Sequence, residues 1–341
     1  MVPASEKRGD DGSCMSDREP YTLGRLRAAD GAVFTGVCID EEVVPLTELG
    51  LAAATVEELL ADWSTSSKAV DAAVEGVRES GQWSRLAQDL AGLTAQAPFL
   101  PGQVFQSGAN YRTHVVQLQV AAAAERGLTG PDLEDAEREA VALMQRRAET
   151  GTPYVFLGLA SSVCGPTDDV VLPPTGTQHD WELELGVVIG QHAYQVDRRQ
   201  ALEHVAGYTI VNDITTRDRV FRPDMPGLGT DWLAGKNAPT FLPLGPWLTP
   251  ARFVADPMDL RITLALNGEV MQDETTADMI SDIPRLIEHV SAITPLRPGD
   301  LLLTGSPAGN GAHYGRYLRP GDVMECSITG LGHQRNRCVA A

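Results

Sequence analysis

The chain has 341 residues, of which 43% are hydrophobic and 21% charged, a composition typical of a globular protein with one large or two ordinary domains. Its 46 acidic and 27 basic residues give a formal charge of −19. This charge argues against nucleic acid or an anionic membrane as a partner, because clustered Lys and Arg bind those surfaces. A small anionic substrate stays compatible with it, since one local basic group can outweigh the mean field.

The five cysteines are odd in number and form no CxxC pair, which argues against a disulfide framework or a zinc cluster and favours a reduced, cytoplasmic setting. The first residues lack the apolar core of a signal peptide. No apolar run approaches the roughly 20 residues of a membrane helix. Residues 1–19 are rich in polar and charged side chains, and we expect a disordered tail there.

A small α+β domain is predicted over residues 20–100. Short strands with a turn at Asp30-Gly31 begin it, and helices are expected over 55–92. The first helix begins at "TVEELLADW", where Thr55 precedes Glu58 by three residues, the spacing of a capping box.

Two helices are predicted after a strand that begins near residue 102, with a break at 127–130. The second, "PDLEDAEREAVALMQRRAETG", begins with Pro131 and acidic residues and ends with arginines before Gly151, as helix polarity favours. Two interpretations of residues 118–150 stay open. They are surface helices packed on a core, or they form a lid over a functional site.

From residue 153 onward the sequence consists largely of short strands, which predicts a curled β architecture. In "HDWELELGVVIG" (179–190), Asp180, Glu182 and Glu184 share one face of a strand, because side chains alternate with a period of two. The strand then becomes continuously apolar, and buried carboxylates stay ionised only beside a cation. A solvated strand face is the alternative.

A hard divalent cation suits this group of carboxylates, with Mg²⁺ or Mn²⁺ ahead of Zn²⁺. Glu182 and Glu184 can reach one ion from a single strand. Asp213 follows another predicted strand, "GYTIVND", and is the expected third ligand, since functional groups often emerge where a strand ends.

Five segments resemble the fumarylacetoacetate hydrolase family in their order and spacing: "DWELELGVVIG", "GYTIVNDITTRD", "GKNAPTFLPLGPWLT", "LNGEVMQDETTADMI" and "LRPGDLLLTGSPAGNG". The resemblance covers roughly residues 102–335. It implies an α+β fold with a small N-terminal domain (20–100) and a catalytic domain (101–341) built as a mixed β-roll. It also implies a helical lid near 118–150 and a homodimer.

The resemblance assigns roles to individual residues. The implied metal ligands are Glu182, Glu184 and Asp213, which would bind one Mg²⁺ or Mn²⁺. The catalytic roles fall on His114 as the base that activates water or moves a proton, on Lys236 beside the metal and the substrate oxygens, and on Arg217 as support of the acidic cluster. The substrate-binding positions correspond to Tyr111, Gln117, Thr304 and Ser306. Of these, Tyr111 is expected to pack rather than react. For Thr304 and Ser306, the alternative is that they are ordinary turn residues.

Two positions depart from the family pattern. Family members usually have H-x-x-E on the closing segment, but "HVVQ" has Gln117 in place of the carboxylate that would orient His114. Many also have "FLKP" where this chain has "FLGLA", so that Gly158 replaces a lysine. Both changes remove charge from the substrate side and leave the metal side intact, which indicates a changed substrate or reaction on a retained metal site.

The resemblance favours metal-dependent hydrolysis of a C–C bond in a 2-keto acid or 1,3-diketone, such as an acylpyruvate, through a metal-stabilised enolate. In this reading His114 activates the attacking water. A decarboxylase, hydratase or isomerase acting on a related acid is the first alternative, since these reactions need the same enolate but no attacking water. A metal-dependent ligand binder without turnover is the second.

Overall fold

The computed structural model describes residues 19–341, and the tail predicted over 1–19 lies, apart from Glu19, outside the described residues. The N-terminal part comprises strands β1 (Thr22–Arg27), β2 (Val33–Ile39), β3 (Glu42–Pro45), β4 (Gln88–Asp89) and β5 (Thr94–Gln96), with helices α1 (Val56–Ala61), α2 (Trp63–Glu79) and α3 (Trp83–Leu86). The capping box predicted at the start of α1 is confirmed, because Thr55 Oγ1 accepts from Glu58 N and the Glu58 carboxylate accepts from Thr55 N.

The remaining elements belong to the larger part of the chain. Its first portion holds β6 (Val104–Gly108), α4 (Arg112–Glu125), α5 (Pro131–Thr150) and β7 (Tyr154–Gly158). The later strands are β8 (Val163–Cys164), β9 (Val170–Leu172), β10 (His179–Asp180), β11 (Leu183–Ile189), β12 (Val205–Asn212), β13 (Thr215–Thr216), β14 (Leu242–Pro243), β15 (Trp247–Pro250), β16 (Arg261–Leu266), β17 (Glu269–Thr275), β18 (Leu301–Leu303), β19 (Val323–Ile328) and β20 (Gly332–Ala340). The later helices are α6 (Arg217–Val220), α7 (Trp232–Lys236), α8 (Ile283–Ile293) and α9 (Gly311–Tyr314).

Most strands belong to one of two larger sheets, which confirms the expected α+β, sheet-rich fold. The larger has eleven strands in the order β4-β3-β2-β1-β15-β12-β11-β18-β6-β7, with β5 also paired to β1. The second has the order β17-β16-β19-β20-β9. Because β1 pairs with β15, the N-terminal strands continue the sheet of the larger part.

Strands β11 and β12 lie in the middle of the large sheet and are buried along their whole length. One apolar cluster packs against each face of this region. One cluster joins β11 to the second sheet and α8, and the other joins it to the N-terminal strands and helices. Side chains that project near the ends of β11 and β12 are therefore held by a rigid scaffold.

Helices α4 and α5 pack against each other, and the pair is bonded to the rest of the larger part at the start of α4 and at the end of α5. At the start of α4, Thr113 N donates to Asp278 Oδ2 at 2.8 Å. At the end of α5, the Arg285 guanidinium donates to the carbonyl oxygens of Ala148 and Gly151. The break predicted between the two helices is confirmed, since α4 ends at Glu125 and α5 begins at Pro131. No described helix combines the length and apolar character needed to cross a membrane.

Candidate metal centre

The three carboxylates predicted as metal ligands meet where β11 begins and β12 ends. Leu183 pairs with Asn212 in the antiparallel ladder, so Glu182 and Glu184 flank the position after which Asp213 leaves β12. Each contributes one carboxylate oxygen to a group in which these oxygens lie within 4.8 Å of one another. Convergence from two paired strands places three hard oxygen donors around one point, the donor set that Mg²⁺ and Mn²⁺ favour.

These acids are not on a solvated face, because Asp180, Glu182 and Glu184 are only 0%, 7% and 1% exposed. The exposed-strand alternative is therefore wrong for this stretch.

Two cations partly neutralise the cluster. Lys236, at the end of α7, is buried, and its Nζ donates to Glu182 Oε2 at 2.7 Å and to Asp213 Oδ2 at 2.5 Å. Arg217, at the start of α6, pairs with Glu182 Oε1 and with Asp180 Oδ2. Both cations therefore lie within the acidic cluster, and carboxylates engage each of them.

Asp180 points toward a different partner from the other two acids of the strand. Its Oδ1 accepts from Gly311 N at 2.6 Å, and its Oδ2 accepts from Ala312 N and Arg217 Nε. Asp180 therefore fixes the backbone at the start of α9 to the cluster, and it lies outside the group of three acids whose oxygens converge.

The charges of the cluster do not cancel. Four carboxylates face two cations, so the fully ionised group has a formal charge of −2, which one divalent ion would balance. Glu184 forms no ion pair within the described residues, and its Oε2 accepts from Gly305 N at 2.6 Å. The composition and burial of this donor set fit a divalent metal.

The pKa values within the cluster diverge. Burial would raise the pKa of Glu182, but Arg217 and Lys236 outweigh it and lower this pKa to about 2. Burial raises the pKa of Asp213 to about 6 despite Lys236. Burial also raises the pKa of Glu184 well above its ordinary value, and the charge of Asp213 adds to this effect. Without a cation, the cluster therefore retains protons that a metal would displace.

His114 lies on the first turn of α4 and is buried. Burial lowers the pKa of its imidazole to about 4, although the nearby Glu182 opposes this shift. The imidazole is therefore neutral near pH 7 and able to accept a proton.

Gln117, one turn further along α4, does not orient His114 by a hydrogen bond. Its Oε1 is buried and accepts no hydrogen bond within residues 19–341. In the same range, no carboxylate forms a hydrogen bond or ion pair with His114.

The other predicted substrate-side residues are buried, and protein groups engage the hydroxyls of Thr304 and Ser306. The Thr304 hydroxyl donates to Leu185 O at 3.0 Å. Ser306 Oγ accepts from Gln272 and Asn310 side chains at 3.1 Å each. Tyr111 is fully buried beside Thr304 and Glu184, and burial raises the pKa of its hydroxyl.

Sequence reasoning missed three side chains at this site. Gln106 Nε2 donates to Asp213 Oδ1 at 2.6 Å. Phe156 and Trp232 stack with their ring centroids 4.2 Å apart, and Lys236 Nζ lies within 6 Å of both ring centroids. Trp232 precedes Lys236 by four residues, a spacing that places both on one side of α7. No sequence pattern points to Gln106, which lies 107 residues before its partner.

Comparison with known proteins places the chain among related sequences and structures. Residues 103–339 match the model of the fumarylacetoacetate (FAA) hydrolase C-terminal family. A 2,4-didehydro-3-deoxy-L-rhamnonate hydrolase from Sphingomonas sp. (strain SKA58) is 45% identical over 188 residues, which cover 54% of this chain and 64% of the relative. The human oxaloacetate tautomerase FAHD2B, mitochondrial, is 42% identical over 189 residues, covering 55% of this chain and 59% of the relative.

A solved structure extends the similarity over nearly the whole fold. The maleylpyruvate hydrolase of Sphingobium sp. SYK-6, in complex with manganese(II) and pyruvate, aligns with a TM-score of 0.68 and 28% identity over 94% of this chain and 99% of that one. By contrast, this chain spans less than two thirds of the length of the two curated relatives.

Proposed function

The chain belongs to the fumarylacetoacetate hydrolase family, and from that premise we propose that it hydrolyses a C–C bond in an acylpyruvate-type 2-keto acid or 1,3-diketone, with Mg²⁺ or Mn²⁺ as cofactor. The observation that carries this proposal is the buried cluster of Glu182, Glu184 and Asp213. Counted with Asp180, Lys236 and Arg217, the fully ionised cluster has a formal charge of −2. The maleylpyruvate hydrolase that this chain resembles holds manganese and pyruvate, which supports the same class of ligand here.

Glu182, Glu184 and Asp213 would hold the ion. Lys236 pairs with Glu182 and Asp213, and Arg217 pairs with Glu182, so these cations orient two of the three carboxylates. The bound ion would supply Lewis-acid polarisation of the keto and enolate oxygens. The protein's part is to fix these groups in a buried place, where electrostatic stabilisation is stronger than in water.

His114 is the proposed base. It takes a proton from water, and the resulting hydroxide attacks the carbonyl carbon next to the bond that breaks. The electron pair of that C–C bond passes to the 2-keto acid fragment as an enolate, which is then protonated. The products are a 2-keto acid and a carboxylic acid.

Keto–enol tautomerisation is the second candidate. Within residues 19–341, no carboxylate pairs with His114, and this observation favours tautomerisation. A histidine without such a partner stabilises its imidazolium form less well, which weakens it as a base for water, and tautomerisation needs no attacking water. The human relative named as an oxaloacetate tautomerase supports this alternative.

One assay separates the candidates. Purified protein is incubated with acylpyruvates and with oxaloacetate, with and without Mg²⁺, beside a Glu184→Gln control. Two organic acids indicate hydrolysis, carbon dioxide indicates decarboxylation, and loss of the enol absorbance without fragments indicates tautomerisation. Binding without any product identifies a binding protein and overturns the proposal.

We also propose that α4 and α5 form a lid. Both His114 and Gln117 lie on α4, and the two helices are tied to the larger part mainly at their outer ends, through Asp278 and Arg285. Hydrogen exchange along residues 112–150 should slow when pyruvate and Mg²⁺ are added, because closure protects the helices. Strong protection of these helices before ligand is added would contradict the lid.

A homodimer is proposed as well. Strand β7 forms the edge of the large sheet, and large apolar side chains lie exposed on it and on the segment around α6 and α7. Leu157 is 63% exposed and Leu228 74%. Light scattering after size exclusion should give twice the chain mass, and a Leu157→Lys variant should give the single mass.

A further inference from the structure

Gln106 holds one of the proposed metal ligands from a neighbouring part of the sheet. It lies on β6, which is separated from β11 by β18, and only 2% of it is exposed. Its Nε2 donates to Asp213 Oδ1, while Lys236 Nζ donates to Asp213 Oδ2. Because both oxygens are held, the carboxylate of Asp213 is fixed in its rotation, and loss of Gln106 would free one side of it.

Gly158, on the neighbouring strand β7, makes room for the Gln106 side chain. A Cβ atom placed on Gly158 would lie 2.7 Å from Gln106 Oε1 and 2.9 Å from its Cδ, which is closer than such contacts occur in proteins. Gly158 does not have a positive φ, so its backbone would accept another residue. A Cβ at this position would therefore have to displace the Gln106 carboxamide, and it would also lie 3.1 Å from Val104 Cγ1, whereas the conformation of the strand does not demand glycine.

The orientation of the Gln106 amide follows from its partner. The amino group must face Asp213, because a carboxylate accepts hydrogen bonds and the amide oxygen cannot donate one. Oε1 consequently faces Gly158, and within the described residues it accepts no hydrogen bond.

Apart from Asp213, the side chains around the Gln106 carboxamide are uncharged and are called the neutral wall below. Phe156 pairs with Gln106 across β6 and β7 and stacks on Trp232, and Gly158 lies against the carboxamide. Lys236, whose Nζ lies over both rings, is committed to Glu182 and Asp213. No ion pair or cation–π contact of the described residues brings another cation to Gln106, Gly158, Phe156 or Trp232.

We propose that Gln106 and Gly158 are a matched pair that orients Asp213 for the divalent ion and leaves this wall neutral, so that the site favours 2-keto acids whose far end is uncharged. The proposal rests on the proposed function, since it assumes the metal and the class of substrate. Gln106 acts through Asp213 and is a positioning residue.

Calorimetric titration with Mn²⁺ alone tests the pairing. Gln106→Ala and Gly158→Ala should each weaken Mn²⁺ binding by about 10–100-fold, the usual effect of losing a group that orients a metal ligand. The double variant should bind no more weakly than Gln106→Ala, because both changes break the same contact. Gly76→Ala is the matched control, since a Cβ on Gly76 in α2 meets nothing within 4 Å, and it should bind as the wild type does.

The outcomes separate this inference from the proposed function. Losses that multiply in the double variant, or single variants with wild-type affinity, overturn the pairing. A wild-type protein that binds no Mn²⁺ overturns the proposed function and this inference with it. Gln106→Asn, which is polar but too short to reach Asp213, replaces the alanine variant if that variant does not fold, and the same loss is expected.

A second measurement tests the neutral wall. In Gln106→Ala/Gly158→Lys, the lysine can occupy the space of the lost carboxamide and bring a cation to Asp213. The ratio of kcat/KM for dicarboxylic over monocarboxylic acylpyruvates should rise by about tenfold, because the added cation can pair with a second substrate carboxylate. An unchanged ratio overturns the assigned substrate class.

Discussion

The two sides of the candidate site differ in how completely their polar groups are paired. On the metal side, Glu182 has two cations, and Asp213 is held at both oxygens. On the opposite side, Gln117 Oε1 and Gln106 Oε1 are buried acceptors without a partner in the described residues. Buried polar atoms without partners are costly, so such atoms are expected where a ligand completes the structure.

The contrast separates the groups that fit a divalent ion from the groups that would face a substrate. The cluster of acids and cations bears on the class of chemistry, because its donor set fits a divalent ion whatever the substrate is. The neutral groups at 106, 117 and 158 bear on which substrate enters and how His114 behaves. Variants of the proposed metal ligands should therefore abolish function, whereas variants at 106, 117 and 158 should weaken or retune it.

Replacement of a metal ligand should have the largest effect. Glu184→Gln removes a ligand charge without breaking an ion pair, and the glutamine oxygen can still accept from Gly305 N. Calorimetry should detect no Mn²⁺ binding, and activity should be lost. The melting temperature of the metal-free variant should equal or exceed that of the wild type, because repulsion with Asp213 is relieved.

Glu182→Gln provides the comparison. It should also abolish metal binding, but it leaves Arg217 and Lys236 each without one buried partner. We expect its free energy of unfolding to fall by about 3 kcal/mol. Equal stabilities of the two variants would contradict the assigned division between ligand and ion-pair roles.

His114→Ala should have the next largest effect. Turnover should fall by roughly 10²–10⁴-fold if His114 is the base, while Mn²⁺ affinity barely changes. Near-normal turnover would show that the base lies elsewhere.

The central cluster was predictable from sequence because it depends on local rules. A period of two places Glu182 and Glu184 on one face, and the end of the next strand supplies Asp213. The Thr55–Glu58 capping box follows from equally local spacing. Local rules cannot show that Asp180 turns to the backbone of Gly311, since that contact depends on how distant segments pack.

The same limit applies to Gln106 and to the N-terminal strands. The contact of Gln106 with Asp213 crosses two intervening strands, and the pairing of β1 with β15 joins residues more than 200 positions apart. Periodicity predicts which face of a strand is buried but not which strand will be its neighbour.

The pH dependence of metal binding should be smaller but measurable. Asp213, with a pKa of about 6, and Glu184, with a raised pKa, hold protons in the metal-free protein at low pH, and the metal must displace them. Below pH 6, Mn²⁺ affinity should therefore fall by about tenfold per pH unit for each proton displaced. Titration in buffers of different ionisation enthalpy measures the proton release. A Mn²⁺ affinity that does not change between pH 5 and pH 7 would contradict the displacement of protons by the metal.

The smallest effect is expected at Gln117, where a carboxylate would restore the H-x-x-E pattern. His114 is active only as neutral imidazole, so at saturating Mn²⁺ activity should be lost as the pH falls through its pKa, which burial lowers from the ordinary value of a histidine. In Gln117→Glu, a negative charge one helical turn away favours imidazolium and should move this acidic limb to higher pH by about one unit. Gln119→Glu, which adds the same charge to α4 at a position that does not face His114, should leave the limb unmoved. If both variants shift the profile equally, the effect is one of overall charge. If neither does, residue 117 does not face the imidazole, and its unpaired oxygen belongs to the substrate.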